Sequence, residues 1–209
     1  MGLRERKERE KQLRRQQIQD AAKKLFMIKG FTSATMEDIA QECELSVATI
    51  YQYFKNKEEL YASLNLITLS YLLREVEKVY KNPKLSVEDK ITGFKEAMYK
   101  TYSYEPLILR NIFHIQLEDT LLSLSSELLN EINGLVEKIM TMIAKTYEDG
   151  VRQGKLRQGH GMAHADIIWA IFTGLVLWEE SKKKLDPQKN FLKDTLDTAF
   201  DIFCRGINK

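Results

Sequence analysis

The stretch TMEDIAQECELSVATIYQYFKNKEEL, residues 35–60, sets three helix starts close together. Thr35 heads the first, with Asp38 three residues on as an approximate capping box, and Met36, Ile39, Ala40 and Cys43 form its inner stripe. Ser46 heads the second, with Val47, Ile50, Tyr51 and Phe54 facing inward. Asn56 heads the third, and Glu59 completes a box there. Isolated helices below roughly 12 residues are marginal in water, so the first two of these need packing support. The preceding stripe of Ile18, Ala21, Ala22, Leu25 and Phe26 offers it, on a helix that Gly30 ends. Two short helices joined by a turn of about four residues, Cys43 to Ser46, and crossing steeply on a third make a helix-turn-helix. Ala40 is the small side chain such a crossing needs. A motif of this kind lays its second helix in the major groove of DNA.

Outward from this stretch the pattern stays helical. The helix headed by Asn56 runs to about Tyr80 and stops at Asn82-Pro83. Ser86 caps a helix with Val87, Ile91, Phe94, Met98 and Tyr102 inward, which Pro106 ends. A shorter helix is expected from about Leu107 to Leu121. A long one follows with Leu128, Ile132, Leu135, Ile139, Ile143 and Tyr147 on one face, ending near Gly150 or Gly154. GKLRQGHG, residues 154–161, reads as a turn. Residues 163–184 are apolar nearly all round in their middle, with Ile167, Ile168, Ile171, Phe172, Leu175, Val176 and Trp178. The last helix, after Asp186-Pro187, carries Phe191, Leu196, Ala199, Phe200, Phe203 and Ile207. With no β-type alternation and no internal repeat, the expected fold is all-α with about nine helices. Residues 1–57 form a basic arm and a helix-turn-helix domain, and residues 58–209 a larger helical domain.

The same residues carry a family resemblance. They match Thr-x-x-x-Ile-Ala followed by Ser-x-x-Thr-Ile-Tyr-x-Tyr-Phe-x-Asn-Lys-Glu-Glu-Leu, and so resemble the DNA-binding domain of the TetR (tetracycline repressor) family of bacterial regulators. The likeness covers about residues 12–62 and extends weakly to GKLRQGHGMAHADIIWAIFTGL, residues 154–175. It implies a ligand-responsive transcriptional regulator, a repressor that binds a near-palindromic operator in double-stranded DNA as a homodimer and is released by a small effector. The alternative is a DNA-binding structural or cell-division factor of the same fold with no effector. Two departures stand out. Glu44 occupies the turn where the family usually has Gly, and Ala48 a recognition-helix position that is often Gly. A Glu at positive φ is strained by about 1 kcal/mol relative to Gly.

Val47, Ala48, Thr49 and Gln52 are the exposed or small positions of the third helix, suited to base edges and thymine methyls. Tyr53 is expected to present its hydroxyl to a phosphate. Thr35 and Lys57 lie at helix N-termini, where backbone N–H groups already favour phosphate. Ser46 and Lys55 complete the DNA-binding set that the resemblance implies. From Arg4 to Arg15, seven basic residues stand against three acids, an arm that beside such an element would seek phosphates.

The helix at 163–184 needs burial on both faces. Ala170, Thr173 and Gly174 would let another helix approach closely. With Phe200 and Phe203 of the last helix they would form half of a four-helix bundle across a two-fold axis. The alternative is a central helix in a monomeric core. Tyr99, Tyr102, His114, Gln116, Tyr147 and Trp178 are polar-tipped residues on apolar faces and the candidates for an effector cavity. The abundance of Leu, Ile, Met, Phe and Tyr around them points to an apolar or aromatic effector.

Composition narrows the remaining classes. The chain has 209 residues, 44% hydrophobic and 30% charged, with a net charge of +2. Two lone cysteines, Cys43 and Cys204, make no disulfide framework and fit a reducing compartment. No nucleophile elbow, P-loop, dinucleotide fingerprint or zincin signature is present, so neither an enzyme nor a cofactor is expected. His160 and His164 stand at i, i+4 without a third ligand, and no metal site is expected. The opening MGLRERKEREKQLRRQQ has no apolar signal core, and IIWAIFTGLVLW, residues 167–178, is about half a membrane span. A cytoplasmic location without membrane attachment is the expectation.

Overall fold

Side-chain caps set the helix starts. The Asp38 N–H donates to Thr35 Oγ1 at 3.1 Å while the Thr35 N–H donates to Asp38 Oδ2 at 3.1 Å. Ser46 Oγ accepts from the Thr49 N–H at 3.1 Å, and Asn56 Oδ1 from the Glu59 N–H at 2.7 Å. Ser86 and Asp89 form a second reciprocal box. His160 supplies a cap that its sequence context did not announce, its Nδ1 accepting from the Ala163 N–H at 3.3 Å.

The computed structural model describes residues 2–106, 124–186 and 190–209. Among them run eight helices and no strand: α1 Leu3–Ser33, α2 Met36–Glu42, α3 Val47–Tyr51, α4 Lys57–Tyr80, α5 Val87–Tyr104, α6 Ser126–Arg152, α7 Gly161–Leu185 and α8 Leu192–Ile207. The helix expected at 107–121 lies outside the described residues. The described residues divide into two compact units, 2–65 with 124–129, and 66–106 with 130–186 and 190–209. α4 supplies residues to both.

In the first unit Ile18, Ala22, Ile39, Ile50 and Leu60 are fully buried and Phe54 nearly so. Phe26, Phe31 and Tyr61 close an aromatic triangle with centroids 4.5–5.5 Å apart. Gln19 Nε2 donates to Ser63 Oγ at 2.9 Å, a buried polar pair between α1 and α4.

The second unit is built on Leu72, Phe94, Met98, Ile139, Leu156, Phe172 and Val176, all buried. Gly150 permits a close approach: a Cβ there would stand 2.5 Å from Leu156 Cδ1 and 2.8 Å from Val87 Cγ1. One face of α7, with Ala165, Ile168, Phe172 and Val176, lies in this core. Its opposite face does not. Ile167 and Trp178 are 46% and 62% exposed, and Ala170, Gly174 and Leu177 are exposed between them. By length and composition Gly161–Lys183 could cross a membrane, more than the half-span read from its longest apolar run.

Glu179 is the buried polar anchor of this unit. It is 1% exposed, accepts from the Phe191 N–H at 2.7 Å, and pairs with Lys182 Nζ at 2.6 Å. Burial alone would raise its pKa, but the Lys182 ammonium and the Phe191 N–H hold it below the ordinary value of 4.5. A depressed folded pKa stabilises the protein above the ordinary value, and that contribution is lost as pH falls through the depressed one. Glu179→Ala is expected to lower unfolding free energy by roughly 1.5–3 kcal/mol at pH 7. The difference from the parent should shrink as urea-unfolding curves are repeated below the ordinary glutamate value of 4.5. A pH-independent difference would mean that the lost packing, and not the charge, carries the effect.

Candidate nucleic-acid interface

α2 and α3 have seven and five residues, too short to persist without the caps and the core described above. The turn between them carries Glu44 at φ 54°, so the Glu takes the left-handed conformation that glycine would favour there. The turn closes because the Leu45 N–H donates to Ala40 O at 2.9 Å and Gln17 Nε2 to Cys43 O at 3.0 Å. Arg15 fixes the far end of α3, its Nη1 donating to Tyr53 O at 3.3 Å and its guanidinium lying 4.4 Å from the Phe54 ring centroid.

On the outer side of this unit Ala48, Gln52 and Lys55 are exposed, and Val47, Thr49 and Tyr53 are half-buried. The hydroxyls of Ser46 and Thr49 bond to each other at 2.8 Å, which orients both at the start of α3. Tyr51, expected on the inner stripe and to face partly inward, is 50% exposed. The reason is periodicity: Tyr51 follows buried Ile50 by one residue, a turn of about 100° on a helix, and α3 ends there. Tyr51 therefore joins the exposed set, which inward-stripe reasoning had missed.

Lys57 is also placed differently from expectation. Its ammonium donates to Phe31 O at 2.8 Å, Ala34 O at 2.9 Å and Thr32 O at 3.3 Å, and lies 4.6 Å from the Phe31 ring centroid. Its three protons are spent on carbonyls at the end of α1, where a cation is favoured. The N-terminal position on α4 is real, but the side chain turns back. Thr35 is likewise occupied in capping α2, and Lys29 holds Asp38 of that cap at 2.8 Å. The Lys29 ammonium, with the Thr35 N–H, keeps the Asp38 carboxyl below its ordinary pKa.

The other candidates divide. Tyr102 is buried, donates to Glu180 Oε1 at 2.7 Å and accepts from Lys183 Nζ at 2.7 Å. Burial pushes its phenol up. Tyr147 is tied to Arg157 O at 2.8 Å, its ring stacked on that of His164 with centroids 3.7 Å apart. Tyr99 is half-buried against the core and Trp178 lies on the exposed face of α7. His114 and Gln116 lie outside the described residues. The polar tips of Tyr102 and Tyr147 thus serve the protein itself. Of the residues expected at a dimer contact, Ala170 and Gly174 are exposed and Phe203 is half-buried. Phe200 is 3% exposed within its own core, and Thr173 is buried with its hydroxyl on Trp169 O at 2.7 Å. Phe200 faces inward one turn after buried Leu196, and Thr173 lies between buried Phe172 and Val176.

Residues 18–64 match the family model described as bacterial regulatory proteins, tetR family. Over 84% of its length the chain is 23% identical to an uncharacterized helix-turn-helix regulator of Bacillus subtilis, YhgD, covering 89% of that protein. It is also 23% identical to the fatty acid metabolism regulator protein of Bacillus subtilis, over 81% of this chain and 86% of the relative. Among solved structures it superposes on the transcriptional regulator FadR from Bacillus subtilis in complex with stearoyl-CoA. The TM-score is 0.70 at 20% identity, covering 92% of this chain and 99% of that one.

The placement of Lys57 makes a prediction opposite to that for a phosphate contact. Lys57→Met should destabilise the protein by roughly 1.5–3 kcal/mol in urea unfolding, through carbonyls that lose a charged donor. It should leave the salt dependence of binding to duplex DNA unchanged. Unaltered stability with a salt slope smaller by about one unit would return Lys57 to the phosphate-binding set.

Proposed function

We propose that this chain, whose residues 18–64 match the TetR family of bacterial transcriptional regulators, is a repressor, binding a near-palindromic operator as a two-fold dimer and released by an apolar effector. The observation that carries this reading is the pair of short, capped helices with Ala48, Tyr51, Gln52 and Lys55 exposed at α3 and just beyond it. Val47, Ala48, Thr49 and Gln52 are assigned to base edges and thymine methyls, and Tyr51 and Tyr53 to the backbone of the half-site.

Dimerisation is supported by the exposed face of α7. Met162, Ile167, Ala170, Gly174, Leu177 and Trp178 form an exposed, largely apolar line of the kind that marks an interaction surface, and α8 adds Ile202, 66% exposed, from the same unit. The opposite face of α7 is already committed to a protein core, so a second copy suits the outer face better than a bilayer. An effector with a long apolar chain is supported by the relative named for fatty acid metabolism and by the neighbour in complex with stearoyl-CoA. The Leu, Ile, Met and Phe core of the second unit is of a chemistry that suits such a chain.

Light scattering on a sizing column should give about twice the 24.4 kDa chain mass, and Trp178→Asp should move the protein toward monomer. A monomeric parent at micromolar concentration would remove the two-fold reading. An operator can be selected from a randomised duplex pool. Gln52→Ala should then relax preference at one position per half-site by roughly 1–3 kcal/mol.

The effector reading has its own test. Coupling between effector and operator is typically worth 1–3 kcal/mol, about 5- to 150-fold in affinity, and is reciprocal. Stearoyl-CoA titrated calorimetrically should bind more weakly with operator present, by the factor with which it weakens DNA binding. Equal affinities in both titrations would favour a constitutive DNA-binding factor without an effector.

A further inference from the structure

The first three turns of α1 stand clear of the three-helix core. From Arg4 to Arg14 every described side chain is exposed, and the first residue of this helix to be buried is Ile18. A helix end without apolar packing keeps its form only through local pairs. Here those are Arg6 with Glu10 at 3.1 Å and Gln12 with Glu8 at 3.2 Å. Lys7, Lys11 and Arg14 follow at i, i+4 and i+7, so they share one face. That face opens onto a groove of about 690 Å³ whose other wall is Gln52 and Tyr53, at the end of α3.

The charges in this groove are unbalanced. Glu10 is the one carboxylate lining it, and Arg6 already holds that carboxylate. Lys7 and Lys11 have no ion-pair partner among the described residues, and Arg14 Nη1 is directed by Gln17 Oε1 at 3.0 Å without being neutralised. Gln17 in turn holds Cys43 O, so the base of the groove is tied to the turn of the helix-turn-helix.

We propose that this groove is a second, preformed DNA site: it holds the sugar-phosphate backbone beside the half-site that α3 reads. The proposal rests on the DNA-binding reading above and extends it. Its occupant is a phosphodiester strand for two reasons. Three cations face one paired carboxylate, and the groove is continuous with Gln52 and Tyr53 of the recognition element. Its apolar side chains are Leu13 and the Tyr53 ring alone, which give an acyl chain or an amphipathic peptide helix little to bury. Because the arm is already helical, its cations are aligned on one face before DNA arrives and little backbone ordering entropy is lost on contact. Rise per residue puts Lys7 and Lys11 about 6 Å apart along the axis, so they meet different phosphates.

The test uses the full-length protein, its operator selected from a randomised duplex pool, and the double substitution Lys7→Gln with Lys11→Gln. Both side chains are exposed, so circular dichroism and urea unfolding should match the parent. Each phosphate contact contributes about −0.9 to the slope of log K against log salt, so the variant's slope should be shallower by about 2 per protomer. Hydroxyl-radical footprinting should lose backbone protection beside each half-site, while base protection in the major groove stays. A parent that binds no duplex would overturn the DNA-binding reading itself. A parent that binds, with a variant of the same slope and footprint, would overturn only the groove. A shallower slope with unchanged backbone protection would also overturn it, since the arm would then act through its charge at a distance.

Discussion

Two helices of seven and five residues cannot hold their own hydrogen bonds against water, and the DNA-facing surface depends on relieving that weakness. Relief comes from both ends of each helix and from one side. Thr35 and Ser46 satisfy N–H groups at the starts, and Gln17 and Arg15 meet carbonyls near the ends. Ile39, Ala40, Ile50 and Phe54 bury the remaining side on α1. N-capping contributes about 1 kcal/mol per helix and burial of an Ile or Phe about 1.5–3, so packing dominates and the caps set register. α1 is thus both the scaffold of the motif and the source of its end contacts. Its outer turns can carry charge because its inner turns carry the core.

The parts of this arrangement written in the sequence were those decided by local chemistry. The caps at Thr35, Ser46, Asn56 and Ser86 depend on residues three apart and needed no tertiary knowledge. The inward faces of α5 and α6 followed from a sustained 3.6-residue period. In α5 Val87, Ile91, Phe94, Met98 and Tyr102 are all buried. Where the period had little to run on, it misled. α3 has five residues, and four inward positions could not fit on one side of it, so Tyr51 came out exposed. Lys57 could not be placed because its partners, Phe31 to Ala34, lie more than twenty residues away and belong to another helix end. On α7, apolar on nearly all sides, composition could not tell Thr173 from Gly174. Only the packed structure separates the inner residue from the outer one.

The effect of Glu44 was not legible, because a Glu in place of Gly left open whether the turn changes shape. The turn keeps its left-handed residue, at φ 54° and a cost of about 1 kcal/mol. The two hydrogen bonds that close the turn, from Leu45 N and Gln17 Nε2, offset a strain of that size. The exposed carboxylate remains, but the groove cations and Lys55 lie on the same unit and outnumber it.

The attachment of α4 limits how an effector could act under the reading proposed above. At its start α4 is held by Lys57 on three carbonyls, by Tyr61 in the aromatic triangle and by Ser63 on Gln19. Charged hydrogen bonds contribute about 1.5–3 kcal/mol and an aromatic pair about 0.5–1.5 beyond its area, so this attachment is worth several kcal/mol. Allosteric coupling of 1–3 kcal/mol is too small to detach it. An effector that displaces the later turns of α4, where Leu69, Leu72 and Val76 are buried, therefore cannot work by peeling the helix from the DNA-binding unit. The DNA-binding unit therefore keeps its internal geometry whatever α4 does in its later turns.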